Sequence, residues 1–282
     1  MPRSPVVHNL PVPVEWKTAV MLGILSVAGL GMFAWPFIIP APADTSMSDN
    51  APIIFIAILP LLIFLVLAQF SEKGMDAKAL AILGVLSAIN AVLRPLGAGT
   101  NGIELVFFML ILAGRAFGPG FGFVLGCTSL FASAMLTAGV GPWMPFQMLA
   151  AAWIGMGAGL LPNKAFGRLI RGKAEIAMLI VYGIVAGYFF GIIMNMWFWP
   201  YLMGHATGTG TDLAYIPGGP IGENLKRFAI FTLITSTAIW DTGRAIANTI
   251  LLLLLGAPIL AAFRRTIRRA AFNPNIEFQA LP

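Results

Sequence analysis

Long apolar runs recur along the chain, each closed by a short cluster of charged, glycine or proline residues, and this pattern predicts membrane-crossing helices. Eight runs fit, at about Thr18 to Ile39, Pro52 to Phe70, Met75 to Arg94, Ile103 to Ala116, Gly120 to Leu136, Phe146 to Leu161, Ile176 to Trp199 and Leu225 to Phe263. The acidic loop holding Asp44 and Asp49 joins the first two. Ile103 to Ala116 and Phe146 to Leu161 are short for a full crossing, so they need flanking residues, local thinning or protein neighbours. The final run, nearly forty residues, exceeds one crossing. Its first part, Leu225 to Ile239, therefore reads as an interfacial or half-buried helix. The Gly-, Thr- and Pro-rich stretch Tyr201 to Gly222, with His205, Asp212 and Tyr215, has the length of a lid or binding loop.

Polar residues inside these runs are few, and the most concentrated group opens the last crossing. Asp241, Arg244 and Asn248 are spaced i, i+3, i+7, which puts all three on one stripe of a helix. Charge is costly in lipid, so the stripe must face protein, water or a ligand. Four arginines, Arg264, Arg265, Arg268 and Arg269, follow the apolar stretch Thr249 to Phe263 and form a basic anchor.

Composition excludes a soluble domain: 59% of the 282 residues are hydrophobic and 10% are charged. The formal charge of +6 is spent on orientation, not on nucleic acid. With both termini in the cytoplasm, thirteen of the seventeen lysines and arginines fall inside, three (Arg94, Lys226, Arg227) outside, and Arg244 within the membrane. The expected location is the plasma membrane, as a multi-pass protein. Ala41-Pro42-Ala43 resembles a signal-peptide cleavage site, but the run before it is too long for the apolar region of a signal peptide, so it is kept as a helix. Cys127, the single cysteine, has no disulfide partner, and His8 and His205 lack metal-ligand company. No metal or cofactor is expected.

Two catalytic motifs are approached and missed. Gly167 to Ala174 nearly matches a phosphate-binding loop, yet Ala174 stands where a hydroxyl should hold magnesium, and no preceding β-strand is expected. ATP binding by this chain is rejected. Asp241-Thr242-Gly243-Arg244-Ala245 has the start of a membrane phosphotransferase motif without the further aspartates that would hold metal. A membrane enzyme acting on lipid-linked substrates, with Asp241 as base and Arg244 holding a phosphate, remains an alternative, as does a stand-alone secondary transporter, although no internal repeat is found.

Sorted by depth, Asn90, Arg94, Asn101, Glu104, Trp143, Gln147, Asn195, Trp197, Trp199, Trp240, Asp241, Arg244 and Asn248 all fall near the outer ends of different spans. They could converge on one outward-facing pocket. An interfacial aromatic belt accounts for the tryptophans, and structural ion pairs account for Asp241 with Arg244 and Glu104 with Arg94. Two ridges of small residues stand out as well: Ala77, Ala81, Gly84 and Ala88 on the third span, and Ala151, Gly155 and Gly159 on the sixth. Both permit close helix approach; packing within this chain accounts for either, and for the first a partner subunit competes with it.

Gly141-Pro142-Trp143-Met144-Pro145-Phe146-Gln147-Met148, running on to Gly157-Ala158-Gly159-Leu160-Leu161-Pro162, resembles the substrate-binding S component of energy-coupling factor (ECF) transporters. So does Trp240-Asp241-Thr242-Gly243-Arg244-Ala245 with Asn248, the leucine run and Gly256-Ala257-Pro258. The resemblance covers about Lys73 to Arg269. It implies an all-α integral membrane protein with a six-helix core at 73–272, preceded by a tail and two-helix hairpin at 1–72 that the family does not supply, and followed by a tail at 273–282. It further implies a non-enzymatic subunit that captures a vitamin or related micronutrient outside, with a cobalamin-like corrinoid as first choice and queuosine precursors or a smaller vitamin as others. A transmembrane T component and two ATP-binding A subunits would drive uptake, and the first small-residue ridge would meet the T component. The expected ligand-binding residues are Asn90, Arg94, Glu104, Trp143, Gln147, Asn195, Trp240, Asp241, Arg244 and Asn248.

Overall fold

The computed structural model describes positions 12, 14–38, 60, 63–64, 75, 77–97, 100, 102–165, 167–201 and 213–270. Their fold is helical: α1 (Trp16–Phe33), the single turn α2 (Trp35–Ile38), α3 (Ala77–Leu96), α4 (Val106–Phe117), α5 (Pro119–Leu136), α6 (Met144–Leu160), α7 (Lys173–Phe198), α8 (Ile221–Thr232) and α9 (Thr242–Ala270). A π-helical segment, Leu233–Asp241, joins α8 to α9 without a break. Among the described residues, five stretches are long and apolar enough to cross a membrane: Trp16–Phe33, Ala77–Leu96, Pro119–Leu136, Lys173–Trp197 and Ile221–Arg269. Of the expected second span, Pro52 to Phe70, Pro60, Ile63 and Phe64 are described, all helical; the remainder, with Asn101, His205, Asp212 and the 273–282 tail, lies outside the described residues.

The two short runs form helices, α4 and α6, that fall below the length of a full crossing. At 1.5 Å per residue α4 is about 18 Å long, against ~30 Å of hydrocarbon. Eleven of its twelve residues are buried, the exception being Arg115, so its surroundings are other helices rather than lipid tails. Gly118, with φ of 110°, ends α4, and Pro119 supplies the first residue of α5, the position where its missing N–H costs nothing.

Glycine sets the helix spacing at two seams. A Cβ on Gly122 of α5 would land on the backbone of Gly155 of α6, and one on Gly155 would land on Gly122; Gly126 meets the backbone of Ala152 in the same way. The ridge Ala151, Gly155, Gly159 therefore serves packing inside the chain, with Gly159 against Pro119. On α7, Gly183, Gly187 and Gly191 recur every four residues, and their missing side chains make room for Asn248, Arg244 and Asp241 respectively. By contrast Ala77, Ala81, Gly84 and Ala88 are all exposed, and a Cβ on Gly84 would meet nothing within 4 Å.

At one end of the bundle a buried carboxylate ties three helices together. Glu175, in the first turn of α7 and 1% exposed, accepts from Arg115 Nε of α4 at 2.8 Å and from Arg264 Nη2 of α9 at 2.7 Å. Arg115 Nη1 also donates to the carbonyl of Leu161, just past α6. Val12 N donates to the Phe117 carbonyl at this same end, so the start of α1 and the arginine-rich end of α9 share it.

The helix α1 docks on α6. Trp153 Nε1 donates to Ser26 Oγ at 3.0 Å, Phe33 meets Phe146 edge-on with centroids 5.0 Å apart, and Gly29 lies against Leu149 and Trp153. At the opposite end from Glu175, Phe37 of α2 stacks on Trp199, which with Leu213, Tyr215, Phe228 and Phe231 forms a second apolar cluster under α8. The stretch Leu225 to Ile239 is accordingly half-buried, with Phe228 and Phe231 inward and Leu225, Leu233 and Ile234 exposed. One expectation is corrected: two two-residue strands, β1 (Lys164–Ala165) and β2 (Arg168–Leu169), flank Gly167 as an antiparallel hairpin. This exposed hairpin turns between α6 and α7 and is not the buried strand that feeds a phosphate-binding loop.

The glycine seam can be tested directly. Gly155→Ala is expected to destabilise the purified protein by about 1–3 kcal/mol, the usual cost of overpacking, while Gly84→Ala leaves its unfolding temperature unchanged or slightly raised. Thermal unfolding in one detergent reads both, and equal effects would remove the distinction between the two ridges.

Candidate functional site

Successive helices from α3 to α7 run in alternating directions, so the end of α3, the start of α4, the end of α5, the start of α6, the end of α7 and the start of α9 gather opposite Glu175. A cavity of about 390 Å³ opens there. Arg94, Pro95 and Gly97 from α3, Glu104, Val106 and Phe107 around the start of α4, and Leu130, Ser133, Thr137 and Gly139 from α5 form part of its wall. Trp143 and Gln147 at the start of α6, Phe190 and Met194 on α7, and Trp240 and Arg244 complete it.

The most tightly held group in this wall is the Arg244 guanidinium. Its Nε donates to Glu104 Oε1 at 2.8 Å, Nη2 lies 2.8 Å from the same oxygen, and Nη1 is bonded to Asp241 Oδ1. One face of the cation lies 5.2 Å from the centroid of the Phe190 ring, whose electron-rich surface favours positive charge. The ring of Phe107 packs 4.8 Å from Phe190. Glu104 reaches Arg244 through a backbone device: Gly102 has φ of 90° and sits so close to the Trp240 backbone that a side chain would not fit.

Behind Arg244, Asp241 is fully buried. The π winding stacks residues five apart, and Ser236 Oγ uses it to donate to Asp241 Oδ1 at 3.0 Å, with Thr237 Oγ1 at 3.4 Å from Oδ2. Thr242 Oγ1, capping the carbonyl of Thr237 at 2.8 Å, is in turn 3.1 Å from Tyr188 Oη of α7. This hydroxyl cage satisfies the carboxylate at a position closed off from the surface, as buried charge requires.

Across the cavity Arg94, in the last turn of α3, donates from Nη2 to Gln147 Oε1 at 2.8 Å. Its hydrogen-bond partner is thus an amide, while Glu104, bonded to Arg244, still attracts Arg94 electrostatically; the Glu104 with Arg94 pair expected above is an attraction rather than a direct hydrogen-bonded contact. The indoles of Trp143 and Trp240, each 39% exposed, give the wall two aromatic faces.

Six of the ten expected ligand residues, Arg94, Glu104, Trp143, Gln147, Trp240 and Arg244, therefore line one cavity, and four do not. Asp241 lies behind Arg244. Asn248 donates from Nδ2 to the Gly183 carbonyl at 2.9 Å and ties α9 to α7. Asn90 donates to Ser129 Oγ at 3.0 Å, beside a Ser87–Thr128 contact of 2.7 Å, which makes a polar seam between α3 and α5. Asn195 is on α7 beside Met194 but outside the lining. The sequence reading missed Ser133, Thr137, Phe107, Phe190 and Met194. Ser133 and Thr137 were findable as hydroxyls one turn apart in an apolar span; Phe190, beside Gly191, was findable from the four-residue glycine repeat that places α7 against the charged stripe.

The family model described as ECF transporter, substrate-specific component, matches residues 78–256. No curated protein and no solved structure matches the chain.

The ion network has its own prediction. Arg244→Ala strands two carboxylates, one of them fully buried, and is expected to cost about 3–5 kcal/mol of stability. Adding Asp241→Asn in that background recovers part of the loss, because an amide in the same hydroxyl cage needs no counter-ion. Unfolding temperatures of wild type, single and double variants decide it; a double variant no better than Arg244→Ala would dismiss Asp241 as the stranded charge.

Proposed function

From the premise that the chain belongs to the family of ECF transporter substrate-specific components, we propose that it captures a small vitamin-like molecule in the cavity between Arg94 and Arg244. Members of this family are substrate-binding transporter subunits, not enzymes, and this chain is a multi-pass membrane protein. The observation that carries the reading is the cavity itself: six helix ends of the matched region surround about 390 Å³, with apolar rings along the wall and a few fixed polar groups. That combination is the ordinary form of a small-molecule site.

The volume supports a compact ligand. A smaller vitamin is therefore preferred here to the cobalamin-like corrinoid that the resemblance put first, since about 390 Å³ suits a compact molecule. The cavity end carries few lysines and arginines, and the Glu175 end carries many, which supports an outward-facing site with both termini in the cytoplasm. The lipid-phosphate enzyme loses its base: Asp241 is taken up by Ser236, Thr237 and Arg244 and is not part of the cavity wall.

Uptake would then need a T component and two ATP-binding A subunits. The outward ridge Ala77, Ala81, Gly84, Ala88 supports a helix-docking surface, because four small side chains in register let another helix approach to backbone contact. The neighbouring Leu80, Val85, Ile89 and Val92 are also exposed and would border that contact.

When the tagged chain is produced with the T component and ATPases of its host, all should copurify. Ala81→Leu and Ala88→Leu should each lower recovery of the T component at least fivefold while the isolated subunit keeps its ligand affinity. Normal assembly and uptake by both variants would rule the ridge out as the contact.

A further inference from the structure

Hydrogen-bond polarity at the Arg94 end of the cavity names a chemical group. A guanidinium only donates, so the Gln147 atom that meets Arg94 Nη2 at 2.8 Å is necessarily the amide oxygen. That leaves the Gln147 Nε2 hydrogens and the remaining Arg94 N–H groups as donors. A third group joins them: Ser133, fully buried and on the same cavity wall, has an Oγ with no hydrogen-bond partner among the described residues. A helical serine or threonine ordinarily bonds a carbonyl one turn back, as Thr137 Oγ1 does to the Ser133 carbonyl at 2.8 Å; the Ser133 hydroxyl makes no such bond.

The other cavity cation is different. Arg244 has Glu104 on one side and Asp241 on the other, so its charge is matched inside the chain. Arg94 has an amide. Its hydrogen bond goes to a neutral group, and the carboxylate whose charge reaches it, Glu104, is already bonded to Arg244, so the Arg94 guanidinium retains demand for an anion.

We propose that the captured molecule bears a carboxylate, which docks on Arg94 with Gln147 and Ser133 as accompanying donors. This rests on the cavity being the capture site. Neutral vitamins and cationic ones such as thiamine are disfavoured at this end, since they offer no acceptor with charge. The rest of the ligand lies toward Trp143, Phe107 and Phe190.

Binding to the purified full chain would be measured by calorimetry with matched probes: nicotinate against nicotinamide, pantothenate against panthenol, and biotin against biotinamide, with thiamine as a cation. At least one acid is expected to bind at least tenfold more tightly than its neutral analogue, and Arg94→Gln should erase that preference. Gln147→Glu is the sharper variant, and it covers the case in which Arg94→Gln does not fold. It places a carboxylate of the chain beside Arg94, so it should fold at least as stably as wild type and bind the acid at least tenfold more weakly. Acid binding unchanged in Gln147→Glu overturns the carboxylate assignment. So does tight binding of thiamine or a neutral probe that survives Arg94→Gln, although that result keeps the cavity as a capture site. Failure of every probe to bind overturns both.

Discussion

A guanidinium enclosed among helices is costly unless carboxylates stand beside it, and the pairing of Arg244 with Asp241 and Glu104 meets that demand. Much of the cavity end follows from it. Asp241 must be within reach of Arg244 and also satisfied on its other faces, which the π-helical turn achieves by bringing Ser236 and Thr237 over it. Glu104 must come from another helix, which requires the loop before α4 to press on the Trp240 backbone at Gly102. And α7 must lie close enough to enclose the group, which the glycines at 183, 187 and 191 allow.

The two ends of the bundle use the same physics for different purposes. At the arginine-rich end, one carboxylate, Glu175, gathers two arginines and fixes α4, α7 and α9 against each other. At the cavity end, one arginine gathers two carboxylates, and a second arginine across the cavity is held by an amide. The first arrangement is closed, with its carboxylate fully engaged. The second leaves Arg94 and Gln147 on the wall of an open cavity, the feature on which the proposed capture site rests. A rigid wall behind those donors matters because a ligand then gains from groups already oriented for it.

The additional N-terminal helix fits this division. Through Trp153 and Phe33 it covers the outer face of α6, the helix that carries Trp143 and Gln147 into the cavity. Its short extension α2 reaches the aromatic cluster under α8. Neither contact is itself part of the cavity wall, and both support elements around it, while the ridge on α3 stays uncovered by the described residues.

What the sequence determined by itself is what depends on solvent. Apolar runs of membrane length, the bias of lysine and arginine toward one side, and the rarity of charge within the spans gave the helical membrane architecture, because a bilayer enforces those patterns on every crossing segment. Arg94, Glu104, Trp143, Gln147, Trp240 and Arg244 were legible as a group because polar and aromatic residues at one depth on several helices have few other places to point. Tertiary structure decided the partners. The spacing i, i+3, i+7 put Asp241, Arg244 and Asn248 on one face, but only packing against α7 sent Arg244 to the cavity, Asp241 behind it and Asn248 to the Gly183 carbonyl. Likewise Glu104 was within sequence reach of Arg94 and chose Arg244, which lies 140 positions away. Side-chain pairing between helices depends on their rotation and separation, and those are fixed by small-residue contacts such as Gly122 with Gly155, whose geometry no linear pattern of hydrophobicity contains.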